Sequence, residues 1–184
     1  MRVISGNLRG LKLNAPKNDD VRPTTDRVKE SMFNVINMYI MESSILDLFA
    51  GTGSLGIECL SRGANDCVFV DLNRESLQVV NSNIKKARLE QKSTVMNLSY
   101  KDAISKLSIQ NKKFDVIFMD PPYYKDMFID ALTNIDQKDI LQEEGIIVVE
   151  HDTKENLADK VGRLEKFKSK KYGNTTISLY QMEV

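Results

Sequence analysis

The stretch Asp47-Leu48-Phe49-Ala50-Gly51-Thr52-Gly53-Ser54-Leu55-Gly56 decides the fold of this sequence. Residues 45–49 are mostly apolar and predict a buried strand, after which a glycine-rich turn leads into an apolar helix. The glycines match the pattern G-x-G-x-x-G at Gly51, Gly53 and Gly56. In an open α/β sheet, such a turn lies beyond the carboxyl end of a strand, where ligands bind.

Strands and helices alternate downstream of this turn. Apolar runs predict four more strands, at 67–71, 93–98, 114–119 and 145–150. The clearest helix is 74–89, with Asn73 as its cap. The alternation predicts an α/β, Rossmann-like, doubly wound fold with a mostly parallel sheet. Segments 163–171 and 175–182 predict a terminal hairpin, so we expect the last strand to run antiparallel.

The N-terminal part has a different pattern. Residues 2–5 and 10–13 predict a small β-hairpin, and apolar residues at helical spacing follow a polar loop. The pattern changes near residue 42. We therefore expect an N-terminal hairpin and helix extension at 1–42 and a Rossmann-like domain at 43–184.

The composition is that of an ordinary soluble protein of 184 residues, with 41% hydrophobic and 28% charged residues. No apolar run approaches the length of a membrane span, and Met1–Gly6 has no apolar signal region. We expect a cytoplasmic protein in which Cys59 and Cys67 are reduced core residues. The cysteines and the single histidine have no metal-ligand spacing, and one histidine without a well-placed nucleophile argues against a hydrolase triad.

The formal net charge is zero, but the charges are distributed unevenly. Residues 1–30 carry a net charge of +3 and residues 160–172 carry +5, so the rest of the chain is acidic. The two basic segments indicate surfaces that contact phosphates on either side of a functional site. We expect both surfaces on the same side of the protein as the glycine turn. The alternative is that both are ordinary solvated faces.

The glycine turn has a matching acid in the next strand. Asp71 lies 20 residues after Gly51, where a carboxylate can accept both hydroxyl hydrogens of a ribose. This pattern predicts an adenosine-type cofactor without choosing between NAD and S-adenosylmethionine. Asp47, inside the first strand, needs a partner if it is buried. The α-amino group of S-adenosylmethionine supplies one; the alternative is a structural aspartate bound to backbone amides.

The tetrapeptide Asp120-Pro121-Pro122-Tyr123 follows the fourth predicted strand. Its prolines fix the backbone and remove two amide donors, which leaves the Asp120 carboxylate and the Pro121 carbonyl as acceptors. Two acceptors can hold the N–H groups of an exocyclic amine and aim its lone pair at a methyl group. The ring of Tyr123 offers a face on which a flipped base can stack. The alternative is a proline turn that only closes the strand.

A further acid, Asp102, follows the third predicted strand. A carboxylate at this position can accept from the exocyclic amine of adenine. The alternative, which is compatible with this role, is that Asp102 is the N-cap of a helix.

Together these motifs resemble the class I S-adenosylmethionine-dependent methyltransferases that act on exocyclic amines. The N-terminal sequence 1–13, the motif Arg22–Glu30 and the terminal Lys171-Tyr172-Gly173 are similar to those of the RsmD family. This family methylates N2 of one guanine, conventionally numbered 966, in 16S ribosomal RNA of the small subunit.

The resemblance assigns roles to individual residues of this chain. It implies a cofactor site lined by Asp47, Phe49, Gly51, Gly53, Asp71, Leu72, Asp102 and Ala103. It implies that the motif Asp120, Pro121, Pro122 and Tyr123 holds the target amine. We expect RNA contacts from Arg22, Thr24, Arg27, Lys168 and Lys170.

The resemblance also implies the partners. We expect a monomer that uses S-adenosyl-L-methionine and acts on 16S rRNA in the small subunit or its assembly intermediate, with no membrane involved. One alternative is another amine methyltransferase, acting on DNA adenine N6 or on a protein glutamine. Another is a non-catalytic RNA-binding ribosome assembly factor, although such a module has no need of an amine clamp. An NAD-dependent oxidoreductase has the least support, since neither His151 nor the proline turn supplies hydride chemistry.

Overall fold

The computed structural model describes residues 1–15, 26–121 and 125–183. The helices of the described part are α1 (Asp26–Ile36), α2 (Ser54–Ser61), α3 (Arg74–Ala87), α4 (Tyr100–Ile109) and α5 (Lys125–Gln137), with 3₁₀ turns at Asn37–Tyr39 and Glu90–Lys92. The strands are β1 (Ser44–Asp47), β2 (Asp66–Asp71), β3 (Ser93–Asn97), β4 (Phe114–Met119), β5 (Leu141–Asp152), β6 (Lys160–Val161), β7 (Leu164–Tyr172) and β8 (Thr175–Met182). Within the described ranges, no helix is long and apolar enough to cross a bilayer.

The described strands form one sheet in the order β3-β2-β1-β4-β5-β8-β7-β6. Strands β1 to β5 are parallel, and β8 enters antiparallel between β5 and β7. The chain proceeds outward from β1 to β3 and then returns to place β4 on the other side of β1. This reversal between β1 and β4 is the point at which an open sheet leaves a crevice for a ligand.

The two faces of the sheet bury separate hydrophobic clusters. Side chains of α1, α2 and α3 pack on one face against Ile45, Phe69 and Phe118. Side chains of α4 and α5 pack on the other face against Leu46, Val68 and Ile117. Consecutive residues of a strand thus enter opposite clusters, which explains why these strands are continuous apolar runs.

The strands and the helix predicted after residue 43 are confirmed, most with shifts of one or two residues, whereas β5 begins at Leu141, four residues earlier than predicted. Helix α3 begins after Asn73, whose side chain accepts hydrogen bonds from the amides of Glu75 at 2.8 Å and Ser76 at 3.4 Å. It ends at Ala87, earlier than predicted, because Arg88 takes a left-handed conformation with φ of 57°. The cysteines are free and buried. Strand β6 was not predicted, since two residues carry no periodic pattern.

Residues 1–14 form an N-terminal arm that packs on α2 and α3. The predicted hairpin is reduced to one antiparallel bridge, between Arg2 and Lys12, with backbone bonds from Val3 to Leu11 and from Gly10 to Val3, both 2.9 Å. The two predicted strands were therefore too long. Residues 5–10 are occupied by bends and turns, which leaves few residues in register. The division at residue 42 stays a prediction, and Val3 and Leu13 belong to the same hydrophobic cluster as the sheet.

Two buried side chains hold the arm in place. The Glu58 carboxylate on α2 accepts from the amides of Ile4 at 2.8 Å and Ser5 at 3.0 Å, and it forms an ion pair with Lys29 of α1. Asn83 on α3 accepts from the Asn14 amide at 2.7 Å and donates to the carbonyls of Asn14 and Thr52. Because Thr52 belongs to the glycine turn, Asn83 connects the arm directly to that turn.

Candidate active site

The glycine turn joins β1 to α2 at the carboxyl edge of the sheet. Gly51 has φ of 54° and Gly53 has φ of 75°, a region that other residues adopt only with strain. Gly56, one turn into α2, lies against β2: a Cβ atom there would meet Phe69 Cε1 at 2.4 Å and Cys67 Sγ at 2.6 Å. The first two glycines thus shape the turn, and the third lets the helix pack closely on the strand.

Asp47 is buried beneath the turn, with 3% of its surface exposed. Its Oδ2 accepts a hydrogen bond from the Gly56 amide at 3.1 Å, so the structural role that the sequence left open is present. Burial raises the pKa of Asp47 to about 7; the Gly56 amide opposes this rise and the charge of Asp71 adds to it. A nearby cation would stabilise the ionised carboxylate, so the site is suited to an ammonium group.

Asp71 ends β2 and connects two loops. Its Oδ2 accepts from the Gly51 amide at 2.9 Å and its Oδ1 accepts from the Asn73 amide at 2.8 Å. These bonds hold the half-buried carboxylate at the rim of the turn, and each of its oxygens can still accept a further hydrogen bond. Leu72, which follows, is 72% exposed and presents an apolar side chain at the same edge.

The N-terminus of α4 lies at the same edge as the glycine turn and the Asp71–Leu72 segment, and it forms the next part of the rim. Ser99, rather than Asp102, is the N-cap: its Oγ accepts from the Asp102 amide and donates to the Asp102 carboxylate at 2.7 Å. Asp102 is exposed, and Ala103 behind it is buried. Phe49, in the glycine turn, packs against Tyr100 with ring centroids 5.6 Å apart and ring planes tilted by 42°, which connects the turn to α4.

Asp120 and Pro121 follow β4 and line a solvent-open cleft of about 300 Å³. The other lining residues are Phe128, Glu150, His151, Asp152, Asn174 and Thr175. Desolvation by the surrounding protein, together with the charges of Glu150 and Asp47, raises the pKa of Asp120 well above its ordinary value. The side chain is nevertheless exposed at the mouth of the cleft. Pro122 and Tyr123 lie outside the described residues.

His151 forms one wall of this cleft and is bonded at both ring nitrogens. Nδ1 lies 3.0 Å from the carbonyl of Asp152 and Nε2 lies 2.9 Å from Ser178 Oγ. Burial lowers the pKa of His151, which favours a neutral ring that donates to the carbonyl and accepts from the serine. Ser178 is only 1% exposed, and the partner of Nδ1 is a backbone carbonyl rather than a carboxylate, so this pair does not have the arrangement of a hydrolase triad.

The basic residues of β7 lie beside a second, smaller groove. Lys168 and Lys170 are exposed and line an apolar groove of about 200 Å³ with Tyr172 and with residues of α1 and β8. The Lys170 ammonium lies 5.3 Å from the centre of the Tyr172 ring. Ile177 pairs with both Glu150 and Lys170, so Lys170 lies at the carboxyl edge, as predicted. Arg27 is exposed on α1; Arg22 and Thr24 lie outside the described residues.

The family model described as Conserved hypothetical protein 95 matches residues 1–181, nearly the whole chain. The chain belongs to this family. It is 42% identical to "Putative rRNA methyltransferase YlbH" of Bacillus subtilis, over 98% of each chain. It is 30% identical to "Ribosomal RNA small subunit methyltransferase D" of Escherichia coli, over 100% of this chain and 90% of that one. The solved "Putative methyltransferase yhhF from Escherichia coli" superposes with a TM-score of 0.88 at 27% identity, over 100% and 98%.

Membership of the family confirms the resemblance to RsmD proteins and the class I methyltransferase fold. The sheet order explains where the family motifs meet. Because β1 and β4 are neighbours, the glycine turn and Asp120 lie side by side at the carboxyl edge, and the Asp47 charge acts on Asp120. Asp71 and Asp102 complete the rim on the other side of β1. The cofactor and substrate assignments of these residues stay predictions.

Three features of the site were missed at the sequence level. Lys29 is a charged residue on the face of α1 that also carries Met32, Phe33 and Ile36, and it is fully buried. Asn83 appears as an ordinary polar residue of α3, although it bonds the arm to the glycine turn. Glu150 ends an apolar strand as Asp71 does, and that position was the one signal that could have drawn attention to it.

Proposed function

We propose that this protein transfers a methyl group from S-adenosylmethionine to N2 of one guanine in 16S ribosomal RNA, the guanine conventionally numbered 966. The observation that carries the proposal is the adjacency of Asp120 and Asp47 on neighbouring strands. This adjacency supports the proposal, because an acceptor-rich corner suited to an amine would then lie beside a buried carboxylate suited to a cationic cofactor.

S-adenosylmethionine is the cofactor, as predicted from the sequence and as the methyltransferase family implies. Its site is proposed to consist of the glycine turn, with Asp47 below it, and of the rim formed by Asp71, Leu72 and Asp102. Asp47 is proposed to bind the amino group of the cofactor, because an adjacent cation stabilises the ionised form of a buried carboxylate. Asp71 is assigned to the ribose hydroxyls, and Phe49, Leu72 and Ala103 to apolar contacts with the adenine.

The chemistry of the chain is assigned to Asp120 and Pro121. Bound S-adenosylmethionine supplies an electrophilic methyl group. The Asp120 carboxylate and the Pro121 carbonyl accept the two N–H groups of the guanine amine, which turns its lone pair away from the conjugated ring. When nitrogen gains the methyl carbon it must lose one proton. The raised pKa of Asp120 makes this carboxylate the stronger acceptor for that proton.

The proposed RNA surface is formed by Arg27, Lys168 and Lys170 beside the apolar groove. Ammonium groups beside an apolar groove are suited to a nucleic acid, because the phosphates can bind the ammonium groups and an unstacked base can pack against the apolar surface. The zero net charge of this protein is compatible with a ribosomal particle as its substrate. Ribosomal proteins in such a particle can add binding contacts, so a strongly basic enzyme is not required. We assign the protein to the cytoplasm, as a monomer acting on the small subunit or its assembly intermediate.

The decisive experiment is transfer of a tritiated methyl group to small subunits that lack the modification, followed by identification of the labelled nucleoside. We expect N2-methylguanosine at a single site. Asp120→Asn should abolish transfer while leaving cofactor affinity nearly unchanged, and Asp139→Asn, an exposed aspartate distant from the cleft, is the matched control. Label on duplex DNA or on a release factor instead of rRNA would favour another amine methyltransferase. Failure to bind the cofactor would favour a non-catalytic assembly factor.

A further inference from the structure

Glu150 stands next to Asp120 across the parallel pair β4–β5. Met119 is in register with Val149, so Asp120, the first residue after β4, comes level with Glu150, which still belongs to β5. Adjacent strands lie about 4.8 Å apart. The same row continues through Ile177 to Lys170. Glu150 therefore lies between the proposed amine clamp and the proposed RNA surface.

The two carboxylates also share the cleft. Both line its wall, and the charge of Glu150 acts on the carboxyl of Asp120. Asp120 and Glu150 are therefore neighbouring carboxylates on the wall of one cleft, and a substrate that enters the cleft would meet both of them.

The edge of guanine matches such a pair. Its exocyclic N2 amine and its ring N1–H are adjacent donors, whereas the N1 atom of adenine is an acceptor. A base whose amine is held by Asp120 presents its N1 side to a neighbouring group. A carboxylate there accepts N1–H from guanine and repels a base whose N1 carries a lone pair.

We propose that Glu150 accepts the N1–H of the target guanine and thereby selects guanine over other bases that carry a 2-amino group. This assignment rests on the proposed function, because it takes a guanine held by Asp120 as the substrate. It adds a specificity-determining residue that contacts the base directly.

The test replaces the target guanine by 2,6-diaminopurine, which keeps the 2-amino group but has an acceptor at N1. Small subunits are reconstituted with 16S rRNA ligated to carry either base at the methylated position. The wild type should prefer guanine by about 10- to 100-fold in kcat/KM. In Glu150→Gln the amide can donate to the N1 of 2,6-diaminopurine, so the preference should fall at least several-fold. Glu144→Gln, at the opposite end of the same strand, should keep the wild-type preference.

Affinity for the two RNAs is measured in parallel, so that a variant without turnover still gives a result. Loss of the guanine preference in binding by Glu150→Gln supports the assignment. An unchanged preference in both turnover and binding, beside an active wild type, overturns the role of Glu150 alone. A wild type that methylates neither RNA overturns the proposed function, and the role of Glu150 with it.

Discussion

Lys29 and Glu58 form an ion pair from which water is excluded, with 3.0 Å between Nζ and Oε2 and no exposed surface on either side chain. Lys29 Nζ also donates to the Arg2 carbonyl at 2.8 Å, and Glu58 pairs with Arg62 as well. Burial is the largest influence on Lys29 and lowers its pKa, while Glu58 acts in the opposite direction. The N-terminal arm, α1 and α2 are thus joined through one buried cluster of charges.

Breaking this pair should be costly. Glu58→Gln leaves the Lys29 ammonium buried without its counterion, and we expect the free energy of unfolding to fall by about 3–5 kcal/mol. Urea denaturation measures the change. The exposed pair Lys113–Asp139 is the control, since Asp139→Asn should cost less than about 1 kcal/mol. Equal effects of the two substitutions would contradict a special role for the buried pair.

Asp47 should make stability depend on pH. Its pKa of about 7 in the folded protein exceeds its ordinary value of 3.8. Between these values the folded protein holds a proton that the unfolded chain has released, so the free energy of unfolding falls as pH rises. Asp47→Asn removes this dependence and should gain stability relative to the wild type between pH 5 and pH 8. Denaturation curves across that range measure it, and a constant difference between the two proteins would contradict the raised pKa.

Cofactor binding should release a proton near pH 7. The proposed contact between Asp47 and the cofactor's amino group requires the ionised carboxylate, which at that pH is only partly populated in the free protein. Calorimetric titrations in buffers with different ionisation enthalpies count the released proton. In Asp47→Asn the release should disappear and the affinity should fall. Proton release that persists in the variant would assign it to another group.

Gly56→Ala should destabilise the protein by about 1–3 kcal/mol through overpacking. The added Cβ meets the ring of Phe69 and the sulfur of Cys67 at distances shorter than any stable contact. A double-mutant cycle with Phe69→Leu, which removes part of the opposing ring, should recover some of the loss. Additive effects in that cycle would show that the glycine is not required for this close packing.

Charge reversal at Lys168 and Lys170 should weaken binding to the small-subunit particle and reduce its salt dependence. Each lost phosphate contact reduces the slope of log affinity against log salt by about 1. Cofactor affinity should not change. Reversal of Lys85 and Lys106, two exposed lysines of α3 and α4, is the matched control. If both pairs of substitutions have the same effect, only the overall charge matters and the groove is not an RNA surface.

The elements that sequence predicted best are those with a local cause. Strands β1, β2 and β4 are buried on both faces and therefore appear as apolar runs, and Asn73 marks the start of α3 through its own side chain. The glycine pattern predicted the turn because positive φ restricts the choice of residue. The neighbouring positions of β1 and β4 then brought Asp47 and Asp120 together, as expected.

What sequence did not predict depends on distant partners. Lys29 is buried because Glu58 comes within reach from a helix 29 residues later, a contact that no periodicity encodes. The N-terminal strands were predicted too long because the turn between them includes residues that the sequence pattern had assigned to paired strands. Ser99 replaced Asp102 as the cap, since both residue types favour that position and only the geometry of α4 distinguishes them.

The interior position of β8 has a consequence for biosynthesis. Along the described chain this strand follows all the others, yet it is hydrogen-bonded on both sides, to β5 and β7. A nascent chain that ends before Thr175 therefore exposes two unsatisfied sheet edges, which are templates for aggregation. The sheet can therefore close only after β8 has been synthesised, and products truncated before Thr175 should be insoluble and become substrates for chaperones and proteases.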